Sequence, residues 1–218
     1  MTVLKDFFAE CLFEVTDNFI DDAANTSVLH IGNDYIEDWK VVKRHLDKHD
    51  IATRPQNITE LYECLGFKDI DIVDINDIDN WGMKGKTYDF IFNCHSADKI
   101  FDVIKFFEVV DNIANDNSHM THIHPYQTYD ELGFHCLNPS FYNELANNMN
   151  YDYAFSWIGS LKADHHDNIQ IADYIAGDRY TTRHYLDRRY QPNEGFDFPI
   201  FLAVTFYKSK RQDVQEDY

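Results

Sequence analysis

The stretch that decides the fold runs from Thr87 to Pro125 and reads TYDFIFNCHSADKIFDVIKFFEVVDNIANDNSHMTHIHP. It opens with the strand-like run TYDFIFN, continues with apolar residues at helical spacing in ADKIFDVIKFFEVVDNIA, and closes with the strand-like SHMTHIHP. Two strands joined by such a helix are expected to lie parallel in one sheet, because parallel neighbours need a long crossover connection, which is usually a helix. The stretch therefore predicts a strand-helix-strand unit.

The same alternation continues on both sides of this stretch. Helical spacing predicts helices at residues 3–22, 37–49, 57–67 and 139–149, and short apolar or alternating runs predict strands at 27–32, 69–75, 151–159 and 198–208. Strands separated by helices indicate an α/β fold with a doubly wound, mostly parallel sheet. The last strand is expected to return antiparallel to its predecessor. We predict a single domain over residues 1–208 and a frayed C-terminal tail at 209–218.

The chain is strongly acidic, since its 218 residues include 38 acidic and 19 basic side chains, for a formal net charge of -19. Such a field repels polyanions, because nucleic-acid binding depends on Lys and Arg that neutralise phosphates, and no nucleic-acid partner is expected. The four cysteines form no CxxC pair, and no apolar run reaches the ~18 residues of a membrane span. We therefore expect a cytoplasmic protein with reduced thiols and no membrane partner.

Polar residues lie at the carboxyl ends of four of the predicted strands, at Gly32–Asp34, at Asp74, at Asn93–His95 and at His122–Gln127. Ligands of open α/β sheets bind outside the carboxyl ends of the strands, so these positions are expected to meet at one site. The carboxylate of Asp74, after the second strand, is suited to accept hydrogen bonds from ribose hydroxyls. A solvated acidic rim would give the same pattern, since the run DIDIVDINDID carries acids at nearly every second position.

Four motifs, in this order, resemble a group of class I S-adenosylmethionine-dependent methyltransferases that is often met in glycan biosynthesis. The motifs are VLHIGNDYI, ELYECLGFKDIDIVDIND, YDFIFNCHSADKIFD and THIHPYQTYDELGFHCLNPSFYNELANNMNYDY. The last two are similar to the group's patterns FDLVxxxGTxEHVFN and HVxPFQGYxNHGFFNYQPxFFxxLAxxNxYE. The resemblance covers about residues 27–159, and its most specific part is the series PYQTY, GF and NPSFY with its spacing.

This resemblance implies a Rossmann-like sheet with an antiparallel last strand and S-adenosylmethionine as the cofactor. It places the turn after the first strand at Gly32, Asn33 and Asp34. It implies that the acid that binds the ribose is Asp74, with Ile75 beside it. It also implies that the floor of the methionine end of the site is formed by Asn93, Cys94 and His95.

The chain departs from the group's motifs at several positions. Asp98 and Lys99 stand where the group has Glu-His, and Leu132 stands where the group has the histidine of NHGF, with His135 three positions later. The segment 74–88 is also too short for a normal third strand. These departures leave open a non-catalytic binding or partner protein that has kept the fold.

Four of the eleven histidines fall between His119 and His135. On a strand, His122 and His124 project from the same face, because side chains alternate between faces. Methyl transfer to a sugar hydroxyl needs a base near the oxygen, and imidazole is suited to this role at neutral pH. We predict His124 as the general base, with His135 or Asp98 assisting it.

Two other interpretations of these histidines stay open. The imidazoles could simply pack and form hydrogen bonds with strand carbonyls. Alternatively, His122, His124 and His135 could be the centre of a metal-dependent enzyme, because imidazoles suit transition metals. A divalent cation could also hold vicinal sugar hydroxyls beside the base.

The segment GDRYTTRHYLDRRYQ forms a basic island in an acidic chain. Its Arg188 and Arg189 could bind a phosphorylated or acidic acceptor, or they could pair with the surplus carboxylates. Tyr126 and Gln127, in the histidine-rich stretch, are also assigned to the acceptor. The sequence thus predicts an S-adenosylmethionine-dependent O-methyltransferase that acts on a hydroxyl of a small molecule, sugar or glycan.

Overall fold

The computed structural model of the protein describes residues 2–4, 6–32, 34–36, 39–127, 135, 137–160, 170–173 and 200–210. Its helices are α1 (Asp6–Phe19), α2 (Trp39–Lys48), α3 (Ile58–Cys64), α4 (Val103–Ile113) and α5 (Pro139–Met149). Its strands are β1 (Thr2–Leu4), β2 (Ser27–Ile31), β3 (Asp34–Ile36), β4 (Asp69–Val73), β5 (Tyr88–Cys94), β6 (Ala114–Gln127), β7 (Asp152–Ser160), β8 (Gln170–Asp173) and β9 (Ile200–Lys208). Short 3-10 segments lie at Ala23–Asn25, Ile75–Lys84 and Ala97–Lys99.

The described strands form one large sheet and one small one. The large sheet has seven strands in the order β4-β2-β5-β6-β9-β7-β8, and β1 pairs with β3 separately. Strands β4, β2, β5 and β6 are parallel, whereas β9 is antiparallel to both β6 and β7. The predicted doubly wound, mostly parallel sheet with an antiparallel last strand is therefore confirmed.

Apolar side chains fill both faces of this sheet. The core on one face comes from α4, α5 and the segment Ile75–Lys84, and it includes Leu29, Ile91, Met120, Phe106 and Tyr142. The core on the other face comes from α1, α2 and α3, and it includes Val28, Phe92, Ile123, Leu12 and Leu46. Successive residues of β6 alternate between the two cores, as the pleat requires. We call these two faces the α4–α5 face and the α1–α3 face.

Capping residues account for the helices that the sequence predicts best. The Asn57 side chain accepts a hydrogen bond from the Glu60 backbone N–H at the start of α3, and Gly66 follows the helix with a φ of 95°. Helix α5 begins with Pro139 after the N-cap Asn138, and it ends at a left-handed Asn150. Such caps satisfy backbone groups that the helix leaves unpaired at its ends.

The structure differs from the sequence prediction in five elements, one of which is β3, a strand that was not predicted. Residues 2–4 form β1, so the first helix starts at Asp6. The helix predicted over 97–114 is divided, because the Asp102 side chain caps a new helix by accepting from the Lys105 backbone N–H. Strand β6 extends well beyond the predicted 118–125, and β8 was not predicted.

The expectation that the segment 74–88 lacks a third strand is confirmed, because a 3-10 segment occupies Ile75–Lys84. Its Trp81 is buried and donates a hydrogen bond from Nε1 to the Asp74 carbonyl oxygen, at 3.2 Å. This contact fixes the turn that follows β4. Among the residues that the structure describes, no helix is long and apolar enough to cross a membrane.

Candidate active site

The carboxyl ends of four parallel strands meet at one edge of the sheet. Ile31 near the end of β2 is in register with Val73 on one side and with Asn93 on the other. Asn93 is in turn in register with His122 of β6. The chain leaves β2 for β4 on one side and later returns to β5 on the other, which makes this edge the switch point where ligands of such sheets bind.

The first part of the site is the turn after β2 and the acid after β4. Gly32 has a φ of 127°, a conformation that side chains disfavour, and its N–H donates to the Val73 carbonyl at 3.0 Å. Asp74 is exposed, and its Oδ1 accepts from the backbone N–H and the amide of Asn76, each at 2.8 Å. A carboxylate has further lone pairs beyond these two bonds, so Asp74 can still accept from a ligand.

Asn93 and His122 form a buried polar pair on the α4–α5 face. The Asn93 amide Nδ2 lies 3.3 Å from His122 Nδ1, so the amide donates and the imidazole nitrogen accepts. The rings of Phe106 and Phe107 lie against His122, and burial lowers its pKa well below the usual value. Asn93 Oδ1 is buried and has no hydrogen-bond partner among the residues that the structure describes. This pairing holds a carbonyl oxygen ready for a ligand at the end of β5.

His95 forms a turn directly after β5. Its φ of 52° is left-handed, a region in which histidine is one of the more common non-glycine residues. Its backbone N–H donates to the Ile123 carbonyl at 2.8 Å, which ties this turn to β6. The 3-10 segment that follows carries Asp98, whose side chain is 1% exposed. The turn thus places a carboxylate in the interior of the site.

Asp98 lies between two imidazoles. Its Oδ2 is 3.2 Å from His95 Nε2, and its Oδ1 is 3.8 Å from His124 Nδ1. Burial by itself raises the pKa of a carboxyl, but His124 and His95 outweigh it and hold the pKa of Asp98 well below its usual range. Asp98 is therefore a buried carboxylate.

His124 is the fully buried imidazole beside this carboxylate. Burial lowers its pKa, and the charge and hydrogen-bonding capacity of Asp98 oppose this shift only in part. The ring is therefore neutral at neutral pH, and within the described part of the chain neither of its nitrogens forms a hydrogen bond of regular geometry. It faces the α4–α5 side together with His122, with ring centroids 6.3 Å apart. The predicted common face of these two histidines is confirmed.

Tyr142 of α5 completes this group and is not among the site residues predicted from the sequence. Its ring lies 5.8 Å from that of His124, and its buried hydroxyl has no hydrogen-bond partner in the described ranges. Burial raises the pKa of the phenol well above its usual value, with Asp98 adding to the shift. The NPSFY motif contains the signal, because this tyrosine stands where the compared pattern has phenylalanine.

Other predicted site residues have different surroundings. The His135 ring lies 3.0 Å through Nε2 from the Phe101 carbonyl, and its backbone N–H donates to the Asp98 carbonyl. This favours a role in holding the Asp98 turn. The Cys94 side chain packs in the α1–α3 core, whereas Ile75 packs against the α4–α5 core. Cys94 can therefore meet a ligand on the α4–α5 face only through its backbone.

Several predicted site residues can be placed only in part. Asp34 lies in β3, in register with Thr2, and Tyr126 and Gln127 end β6. Asn33, Arg188 and Arg189 lie outside the described residues. Their assignments stay predictions.

The metal interpretation can be compared with the described side chains. Among these, one group of three His, Cys, Asp or Glu residues has ligand atoms that all lie within 4.8 Å of one another, and it comprises Asp17, His45 and His49. His122, His124 and His135 do not form such a group. The Nε2 of His135 instead lies 3.0 Å from the Phe101 carbonyl oxygen. The geometry thus favours a base over a metal centre at the predicted site.

No protein-family model and no curated protein matches the sequence. A solved structure from Bacillus halodurans, assigned as a methyltransferase, aligns with 91% of this chain and 99% of its own chain at a TM-score of 0.50 and 7% identity. The chain has a Rossmann-like methyltransferase fold. An S-adenosylmethionine-dependent methyltransferase from Thermotoga maritima aligns with 93% of this chain and 90% of its own, at a TM-score of 0.49 and 11% identity.

A similar protein from Archaeoglobus fulgidus, also an S-adenosylmethionine-dependent methyltransferase, aligns with 92% of this chain and 94% of its own at a TM-score of 0.46 and 12% identity. At 7% identity, the likeness to the Bacillus halodurans structure is one of fold alone. Within the methyltransferase fold of this chain, the roles of individual residues depend on the geometry described above.

Proposed function

We propose that the protein is an S-adenosylmethionine-dependent O-methyltransferase in which His124 acts as the general base. The observation that carries the proposal is the buried Asp98 carboxylate beside a neutral, fully buried His124 at the carboxyl edge of the sheet. A neutral imidazole held next to a carboxylate is suited to take the proton of a hydroxyl acceptor.

The residues at the sheet edge fit the cofactor. Asn93 Oδ1 is a buried acceptor that no described side chain or backbone group pairs with, and it suits the ammonium group or the positive sulfonium region. Asp74 is an exposed carboxylate at the end of β4, where ribose hydroxyls of nucleosides are bound in such folds. When bound, S-adenosylmethionine supplies a methyl group whose bond to sulfur breaks as the acceptor oxygen attacks, with the electron pair left on sulfur.

His124 and the side chains around it have separate roles in removing the acceptor proton. His124 Nδ1 faces Asp98 at 3.8 Å, so Nε2 is the nitrogen that takes the acceptor hydroxyl proton. Asp98 stabilises the imidazolium that forms, because opposite charges attract strongly in a buried site. The phenol of Tyr142, kept neutral by burial, can donate a hydrogen bond to the acceptor. These groups together favour loss of the hydroxyl proton as the new bond forms.

The acceptor is proposed to be a small molecule or glycan that carries a sugar hydroxyl. The net charge of -19 argues against a nucleic acid, and Tyr126, Gln127, Arg188 and Arg189 remain the proposed acceptor contacts. A divalent cation beside the base and a cytoplasmic location also stay proposals from the sequence.

The function is tested by calorimetric titration with S-adenosylmethionine and by incubation of labelled cofactor with a panel of sugars and nucleotide sugars. We expect saturable binding and transfer of label to a hydroxyl acceptor. Failure to bind the cofactor would refute the proposal. Binding without transfer to any acceptor would instead support the non-catalytic alternative, which the complete burial of His124 also permits.

Replacing Asp74 tests the position of the ribose. Asp74→Ala is expected to weaken S-adenosylmethionine binding by about 1.5 to 3 kcal/mol, the scale of a hydrogen bond to a charged group. Asp74→Asn removes the negative charge but keeps an oxygen that can accept from the Asn76 backbone N–H. This variant therefore distinguishes the effect of the lost charge from the effect of a disrupted turn. Isothermal titration calorimetry measures both.

The matched control is Asp69→Ala at the opposite end of β4, where the carboxylate contacts Lys86. This variant should bind the cofactor as the wild type does. Unchanged binding by folded Asp74→Ala would show that the ribose lies elsewhere.

A further inference from the structure

Three side chains on α1 and α2 form a second titratable cluster, which we call the α1–α2 cluster: Asp17, His45 and His49. Their ligand atoms all lie within 4.8 Å of one another. The helices belong to the α1–α3 face, whereas His122 and His124 lie on the α4–α5 face. The cluster is therefore separate from the candidate active site and has no part in the proposed methyl transfer.

The two histidines present a chelating pair. They stand four residues apart, and the His49 backbone N–H donates to the His45 carbonyl at 3.2 Å, so helical spacing continues through His49. Side chains four apart lie on one face of a helix. The His45 ring stacks on Phe13 of α1, with centroids 3.7 Å apart and an angle of 4° between planes. This packing fixes one imidazole against α1 before any ligand binds.

Asp17, in the last turns of α1, faces both imidazoles. Its Oδ1 lies 3.6 Å from His45 Nε2, and its Oδ2 lies 3.4 Å from His49 Nε2. Ligand atoms around a tetrahedral zinc ion, with bonds of about 2.1 Å, are separated by roughly 3.4 Å. Each carboxylate oxygen of Asp17 therefore lies from one imidazole nitrogen at about the separation of two zinc ligands.

We propose that Asp17, His45 and His49 bind a divalent transition metal ion, with Zn²⁺ favoured, and that the ion joins α1 to α2. Two imidazole nitrogens and a carboxylate oxygen are ligands that zinc accepts, with water in the fourth position. The cluster is open on one side, because the His49 side chain is 40% exposed while His45 is 9% exposed. An ion and its water can therefore enter from solvent.

One nearby cation competes with the metal. Lys48 Nζ lies 3.4 Å from Asp17 Oδ2, and its side chain is 68% exposed. An exposed pair of this kind contributes little to stability, so the lysine can move aside when an ion binds. The simplest alternative to the metal site is that this ion pair and the two imidazoles form an ordinary surface network.

The test is titration of the chelator-treated protein with ZnCl₂ by calorimetry, with thermal unfolding as a second readout. The wild type is expected to bind one more equivalent than the double variant Asp17→Asn/His49→Ala and to gain thermal stability with zinc. The variant should lose at least about 100-fold in affinity at this site, because even the outer partners of metal ligands are worth about 10- to 100-fold. Asp47→Asn, an exposed neighbour that pairs with Arg54, is the matched control.

Retention of this equivalent by the folded double variant, or an equal loss in Asp47→Asn, would overturn the proposal and leave the surface network. The histidine side-chain NMR signals of the wild type give a test that needs no variant. Zinc should shift the signals of His45 and His49 first, and shifts that spare both residues would contradict the site.

Discussion

Replacement of His124 by alanine is expected to lower turnover by about 100- to 10,000-fold while S-adenosylmethionine binding stays nearly unchanged, because this is the range that a positioned general base contributes. His124 lies on β6 beside Asp98, whereas Asp74 and Gly32 follow other strands. The variant therefore removes the base and leaves the proposed cofactor contacts in place. Single-turnover kinetics and calorimetry measure the two effects separately.

The pH profile of turnover adds an independent test of the same base. Because burial lowers the pKa of His124, the neutral imidazole persists below the usual histidine value of about 6.5. Turnover should therefore be level around neutral pH and decline only at lower pH, as the imidazole takes up a proton. If turnover instead rises with a midpoint above the usual histidine pKa, a group other than His124 takes up the proton that limits the reaction.

Asp98→Asn distinguishes a positioning residue from a purely structural one. Asp98 raises the pKa of His124 against the effect of burial, so removal of its charge should shift the acid limb to still lower pH as well as reduce the rate. A structural role would reduce the rate without moving the limb. His119→Ala on the same strand is the control, and it should retain turnover and the wild-type pH profile.

Full activity in His124→Ala would refute the base assignment. Loss of activity with a chelator, restored only by a divalent ion, would refute it as well if His122→Ala and His135→Ala also abolished metal binding. The second result would support a metal site at these histidines, which the arrangement of the described side chains does not favour.

The fold could be predicted where local chemistry sets it. Helix α5 was predicted with its observed bounds, because Pro139 suits only a helix start and Asn150 tolerates the left-handed end. The division of the helix predicted over 97–114 was missed, because helical spacing of apolar residues continues through the 3-10 turn at Ala97–Lys99. That turn exists because Asp98 lies inside the site, which is a tertiary contact that periodicity does not reveal.

The candidate site was predictable to the same extent. The period of a strand is enough to place His122 and His124 on one face, and the order of the strands brings Asn93 beside them. The contact of His95 and His124 with one carboxylate depends on the left-handed turn at His95. The α1–α2 cluster was missed because Asp17 and His45 lie on different helices, and only the packing of α1 on α2 brings them together.

The largest stability effect is expected from the buried ion pair that ties β9 to the end of α4. Lys208 Nζ lies 3.1 Å from Asp111 Oδ1, and both side chains are about one-tenth exposed, at 11% and 12%. The same ammonium donates to the Asp111 and Ala114 carbonyls, at 2.6 and 3.0 Å. The Tyr151 hydroxyl donates to Asp111 Oδ1 at 2.8 Å. The network therefore joins the C-terminal strand to the start of β6, which carries the proposed base.

Asp111→Ala is expected to reduce the free energy of unfolding by about 3 to 5 kcal/mol, because it leaves the Lys208 charge buried without its counterion. Denaturant unfolding measures this as a lower midpoint with an unchanged m-value. The double variant Asp111→Leu/Lys208→Met should lose much less, since apolar side chains of similar volume replace a buried pair at little cost. Asp69→Ala, whose partner Lys86 is 33% exposed, should change stability by about 1 kcal/mol or less. Equal losses of stability in Asp111→Ala and Asp69→Ala would show that the pair of Lys208 and Asp111 is not desolvated. A double variant as unstable as Asp111→Ala would show that Lys208 stabilises the protein through its backbone carbonyl contacts.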